Sequence, residues 1–167
     1  LTSQPTTQTT RPGGTIVPPV RRDVPGKRTV LKTGSLFVPD YYNPATGTAT
    51  DVVVWFLGAS WCTEQTFYDA RKNAILITVN AKDYTATFAR SDALTAILDE
   101  AMAWLHREGV TDKPLGRVCL TSFSGGYPAV REILKQKPLR EQITDVVLAD
   151  SLYAPRVNGK PNELQPE

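Results

Sequence analysis

One histidine, one methionine and two cysteines in 167 residues leave few side chains for metal binding or cross-linking. Cys62 and Cys119 make neither a disulfide framework nor a zinc site. Cys119 reads as a small core residue within a strand and Cys62 as a loop residue, so no bond between them is expected. No apolar run approaches the length of a membrane span. A net charge of +2, with no basic cluster longer than Arg21-Arg22 or Lys27-Arg28, provides no face for nucleic acid. Neither Lys-Ser nor Lys-Thr follows Gly125-Gly126, which excludes a P-loop. Nothing calls for a metal or a cofactor. No charged segment precedes an apolar one at the start, as a signal peptide requires, and the first residue is Leu1. The expectation is therefore a processed product or an excised fragment.

What is present is enough for one domain of ordinary size. Hydrophobic residues make up 41% of the chain and charged residues 22%, so a core can form in a globular protein. Residues 1–26 are rich in Thr, Gln, Pro and Gly and read as a disordered or extended linker. This leader favours a secreted or periplasmic location. From residue 27 to 155 the text is structured. Thr29-Val30-Leu31 and Ser35-Leu36-Phe37-Val38 flank Lys32-Thr33-Gly34 as a hairpin. Residues 51–57 and 74–79 are continuously apolar, as strands covered on both faces are. A helix is expected over 63–73, capped by Thr63. Another follows Ser91, with Leu94, Ile97, Leu98, Ala101, Met102 and Leu105 on its buried face and Gly109 at its end. Residues 145–149 form the last strand, and 156–167 read as a polar, featureless tail. Strands alternating with helices imply an α/β fold: a mostly parallel, doubly wound sheet with the antiparallel N-terminal hairpin at one edge.

The most informative stretch is 117–133. The apolar run Val118-Cys119-Leu120 is a buried strand. It leads into Thr121-Ser122-Phe123-Ser124-Gly125-Gly126, after which Ala129, Val130, Ile133 and Leu134 recur at helical spacing as far as Pro138. Pro128 falls in the first helical turn, where a helix tolerates it. Strand, tight turn with a central Ser, then helix is the context that gives a small-x-Ser-x-Gly string meaning. Ser124 sits at the apex as a candidate nucleophile. Gly126 and the small Ser122 leave room for strand and helix to approach, and the Gly125 N–H points where an oxyanion would form.

Together these residues resemble the α/β-hydrolase family over roughly residues 28–155. The likeness rests on the order of elements and on Ser122-x-Ser124-x-Gly126. The first elbow position is Ser where the family most often has Gly. Within the family, secreted enzymes of the feruloyl-esterase and polyester-depolymerase kind look most similar. The resemblance implies a serine esterase, acting on a small-molecule or polymer ester, or on an amide. It implies oxyanion N–H groups at Gly125 and in the loop Gly58-Ala59-Ser60, with Ala59 or Ser60 as the second donor. Many esterases begin that loop with His-Gly, whereas here it is Leu57-Gly58. Trp61 and Tyr127 are candidates for lining the pocket, Tyr127 the better one because it directly follows the elbow glycine, and both also read as core. Asp150, leaving the last strand on the same edge as Ser124, is a candidate acid and equally a turn-forming carboxylate.

The same resemblance exposes a gap. Only the first six strands of an eight-stranded fold are here, and the family's His follows the last. The single histidine, His106, ends a helix that feeds the start of the Val118 strand. A strand of about six residues is roughly 20 Å long, and a Ser–His hydrogen bond needs about 3 Å. The expectation is the N-terminal portion of a hydrolase, inactive alone, or a non-catalytic binding module of the same fold. Without a following strand, 145–149 becomes an apolar edge, so association with the missing part as a second chain, or with itself, is expected.

Overall fold

The computed structural model describes residues 20–151, together with the backbone strands at 156–157 and 160–164. Residues 1–19, most of the expected linker, lie outside it. The last part of that linker packs on the domain: Val24 is buried, and Arg22 pairs with Asp69. In chain order the elements are β1 (Gly26–Leu31), β2 (Gly34–Pro39), β3 (Thr50–Phe56), α1 (Ser60–Asp69), β4 (Ile75–Val79), α2 (Tyr84–Phe88), α3 (Ala93–Arg107) and β5 (Leu115–Phe123). A 3-10 turn (Ser124–Gly126), α4 (Tyr127–Leu134), α5 (Lys137–Arg140) and β6 (Ile143–Ala149) follow. β7 (Arg156–Val157) and β8 (Lys160–Leu164) form a separate two-stranded sheet where a featureless tail was expected. Among the described residues, no helix is long and apolar enough to cross a membrane.

Six strands make one mixed sheet in the order β1-β2-β4-β3-β5-β6. The β1–β2 hairpin is antiparallel to its neighbours, and β4, β3, β5 and β6 run parallel, giving the expected α/β architecture. The order reverses around β3: the chain goes from β3 to β4 on one side, then crosses back to β5 on the other. Crossovers of constant hand put the helices of the two directions on opposite faces. Alternation along β3 shows this. Val52, Val54 and Phe56 join the larger core with α2, α3 and α4, while Val53 and Trp55 pack against the smaller one with Phe67 of α1.

α3 buries the six residues expected from its period. It ends where Gly109, at a φ of 62°, donates its N–H to the His106 carbonyl and Val110 reaches back to Leu105. Six local expectations are corrected. α1 begins at Ser60 and not at 63, because the N–H groups of Cys62 and Thr63 already reach the Ala59 carbonyl. The Thr63 hydroxyl is buried inside that helix, 2.7 Å from that of Thr78, so it caps nothing, and Cys62 is helical and not in a loop. α3 starts after Asp92, not Ser91. α2 was not foreseen: the Asp83 carboxylate caps it at Ala86 N–H, and its Tyr84 and Phe88 rings meet the edge of Phe56. The elbow helix stops at Leu134, and Pro138 lies in the first turn of α5. Both cysteines are free.

β3 and β5 are joined at their starts by Asp51 and Arg117. The carboxylate accepts the Arg117 backbone N–H at 2.9 Å and two guanidinium N–H bonds at 2.9 and 2.6 Å. Burial would raise the Asp51 carboxyl, but these bonds and the Arg117 charge outweigh it and hold it below the ordinary 3.8. A carboxyl depressed in the folded state stabilises the fold above its unfolded value and loses that contribution as pH falls through the folded one. Asp51→Asn should therefore lower the urea midpoint at pH 7, and the gap from the parent chain should close as the pH falls below about 4. A gap that persists at pH 2.5 would assign the effect to something other than this charge.

Candidate functional site

The strand order reverses between β3 and β5, and outside the carboxyl ends of strands flanking such a point open α/β sheets form their ligand-binding crevice. Three successive strands leave the sheet at this edge through non-glycine residues in the left-handed region. Leu57 follows β3 with a φ of 68°, Ser124 follows β5 with 46°, and Asp150 follows β6 with 48°. Only one other such residue, Arg71, is found among the described residues. A left-handed L-residue costs roughly 1–2 kcal/mol, and such strain gathers at functional sites.

Close packing lies on the helix side of Ser124, at Gly126. A Cβ on Gly126 would lie 2.3 Å from the Phe56 carbonyl oxygen and 3.1 Å from Leu57 Cβ. The glycine therefore lets the start of α4 press against the end of β3. The chain passes from strand to helix through the 3-10 turn Ser124–Gly126, and Ser124 is the residue of that turn in the left-handed region. At Gly125, by contrast, a Cβ would meet only Leu57 Cδ2 at 3.8 Å, ordinary contact. Ser124 is half-buried and Gly125 exposed, and neither the Ser124 hydroxyl nor the Asp150 carboxylate has a hydrogen-bond partner among the described residues. Beneath them, Ser122 is fully buried, with its hydroxyl unpaired.

Phe123 and Ala149 are register partners on β5 and β6. Ser124 and Asp150 each come one residue later, on strands about 4.8 Å apart. The fold brings these two residues to neighbouring strand ends. Ser151 ties the second strand end to the first. Its buried hydroxyl lies 3.0 Å from the Ser122 carbonyl oxygen and 2.8 Å from that of Ala149.

The loop after β3 is on the same edge. Asn80, just past β4, clamps the Gly58 peptide from both sides. Its Oδ1 accepts the Gly58 N–H at 3.1 Å and its Nδ2 donates to the Gly58 carbonyl at 2.8 Å. The Gly58 N–H is thereby taken. Ala59 and Ser60 lie at the start of α1, where backbone N–H groups have no intrahelical acceptor and the helix dipole is positive. The Ser60 hydroxyl is 3.2 Å from that of Ser35 on β2, on the side away from β5. Trp61 and Tyr127 begin helices on opposite faces of the sheet, so they flank this edge without meeting. Both are half-buried, and the Arg131 guanidinium lies over the Tyr127 ring at 5.7 Å.

The chain matches no family model, no curated protein and no solved structure.

His106 is at the opposite edge. Its Nε2 lies 3.0 Å from the Lys113 carbonyl oxygen, just before β5 begins. The nine residues of β5, about 30 Å at 3.3 Å each, separate it from Ser124. It helps line an open depression of about 630 Å³ with Pro44, Thr111 and Lys113, to which the Ser124 edge contributes nothing. Among the described residues, no three His, Cys, Asp or Glu side chains converge as metal ligands would. The edge thus combines a hydroxyl, two helix starts and a carboxylate, without an imidazole.

Asn80, Ser151 and the exposed Phe123 escaped sequence reading. For Asn80 a signal existed. An amide directly after an apolar strand run can stand in for a missing strand neighbour, accepting and donating at once. The packing around the turn makes a graded prediction, read from urea unfolding. Gly125→Ala should stay within about 0.5 kcal/mol of the parent. Gly126→Ala should lose about 1–3 kcal/mol through overpacking. Ser124→Gly should gain about 1 kcal/mol by relieving the left-handed strain.

Proposed function

We propose that this chain is the N-terminal portion of a serine hydrolase of the α/β-hydrolase kind, which cleaves an ester or amide through Ser124. The observation that carries the reading is the left-handed Ser124 at the strand-to-helix turn, at the end of β5 beside the reversal of strand order. A strained backbone at this point holds a hydroxyl out over the sheet edge, where a substrate can reach it.

In this reading, Ser124 Oγ attacks the substrate carbonyl while an imidazole removes its proton. The N–H of Gly125 and one from Ala59 or Ser60 stabilise the tetrahedral oxyanion. The bond that Asn80 makes to Gly58 leaves the N–H groups one and two residues later for this role. Asp150 orients the imidazole, which comes from a segment beyond these 167 residues or from a second polypeptide. Collapse of the intermediate expels the alcohol or amine with the same proton, and water then releases the acyl group. The substrate is a small-molecule or polymer ester, and no cofactor takes part.

The position of His106 favours a second reading, a binding module that keeps the fold without the base. Chemical rescue separates the two. Without the base, reaction of Ser124 with a fluorophosphonate should be slower by on the order of 10⁴-fold or more. Imidazole added in solution should speed labelling in proportion to its neutral form, and Ser124→Ala should abolish that response. Labelling that imidazole leaves unchanged, both in this chain and in the complete gene product, would favour the binding module.

A further inference from the structure

The Asn80 amide spans two successive peptides. The last backbone rung between β3 and β4 is the Leu57 N–H on the Val79 carbonyl, at 3.0 Å. One residue on, Asn80 Oδ1 accepts the Gly58 N–H and Nδ2 donates to the Gly58 carbonyl. That carbonyl shares its peptide with the Ala59 N–H. In a trans peptide the two point in opposite directions, and no peptide among the described residues is cis. A carbonyl aimed at the end of β4 therefore aims the Ala59 N–H away from it. β3 lies between β4 and β5, so away from β4 is toward the end of β5, which Ser124 follows. The Ala59 N–H has no acceptor among the described residues.

The other side of Gly58 has no slack. A Cβ there would lie 2.6 Å from Thr63 Cγ2 and 3.6 Å from Trp55 Nε1. Thr63 is itself fixed, its hydroxyl 2.7 Å from that of Thr78 and 3.0 Å from the Ser60 carbonyl oxygen. Ser60 is drawn the opposite way, its hydroxyl meeting that of Ser35 on β2, which lies beyond β4 from Ser124.

We propose that the Ala59 N–H is the second oxyanion donor and that Asn80 is its positioning residue. The inference rests on the hydrolase reading, which leaves that donor open between Ala59 and Ser60. Asn80 acts through the Gly58 carbonyl and touches no substrate. Asn80 is exposed, so water can satisfy the same two backbone groups, but it cannot fix their direction.

The test reads the oxyanion position during imidazole-assisted labelling of Ser124. There the Oγ–P bond forms, fluoride leaves, imidazole takes the hydroxyl proton, and the phosphoryl oxygen occupies the hole. A thiono probe, with P=S for P=O, puts sulfur there, a weak acceptor. The ratio of oxo to thiono rates therefore measures the donors, and a general loss of structure cancels from it. Ala59 has a φ of −63°, the angle of a proline. Ala59→Pro thus deletes this N–H with the backbone angle kept, and should lower the oxo rate by about 10²- to 10³-fold and the ratio with it. Asn80→Ala frees both peptides and should lower the oxo rate by about 10- to 100-fold, again with the ratio. Asn80→Asp keeps the shape but sets a carboxylate against the Gly58 carbonyl, and should lower the ratio too. Both Asn80 variants should keep the parent's circular dichroism spectrum. A second readout needs no labelling. In the ¹⁵N-labelled Asn80 variants, the largest shifts should fall on the Gly58 and Ala59 amides and on the Trp55 indole N–H, which lies against Gly58 without an acceptor. Folded Asn80 variants that keep the parent's ratio would overturn the role of Asn80, and a larger fall with Ser60→Pro than with Ala59→Pro would overturn the assignment to Ala59. Either result leaves the hydrolase reading standing. A parent chain and complete gene product whose labelling ignores imidazole would remove that reading, and this inference with it.

Discussion

The contact on which the candidate site depends is backbone against backbone. The start of α4 lies against the end of β3, closely enough that only a hydrogen fits at Gly126 beside the Phe56 carbonyl. Everything at the edge follows from that approach. It leaves only the short 3-10 turn Ser124–Gly126 for the change from strand to helix, which begins with Ser124 in the left-handed region. It also places Gly125 and the start of α4 at the edge where the strand order reverses. A larger residue at 126 would push the helix away and relax the turn.

Around that contact the neighbouring strand ends are fixed by small polar devices more than by apolar packing. Asn80 bonds both sides of the Gly58 peptide, and the Ser151 hydroxyl reaches the Ser122 carbonyl on the next strand. Both act where the regular ladder has run out and backbone groups need partners. The opposite edge is held by Asp51 and Arg117 in the same manner. Apolar burial dominates between these edges, in two cores divided by the sheet. On β6 it is incomplete, and that strand has exposed apolar residues on both of its faces.

Much of this architecture could be read from the order of residues. The period of 94–105 identified the buried face of α3, and the continuous apolar runs identified β3 and β4. The Ser-x-Gly string located the turn because a strand signal precedes it and a helical one follows. Helix starts were less legible. Thr63 and Ser91 have the chemistry of caps, yet the chain enters its helices at Ser60 and Ala93. A residue's fitness as a cap says nothing about whether its hydroxyl is claimed by a neighbouring strand, as Thr78 claims that of Thr63. The short α2 was missed because its reason for existing, the two rings against Phe56, is tertiary.

The sequence by itself determined the class of fold, the strand-turn-helix at Ser124 and the distance of His106 from it, because each is a matter of local period and chain direction. Only the tertiary structure decided the order of strands. Nothing local records that β5 lies beside β3 rather than β4. That order brings Leu57, Ser124 and Asp150 to one edge in the same left-handed conformation, and puts Asn80 and Ser151 within hydrogen-bonding reach of the loop and strand they hold. The close approach beside Ser124 arises from how separate elements pack, which no stretch of sequence contains alone.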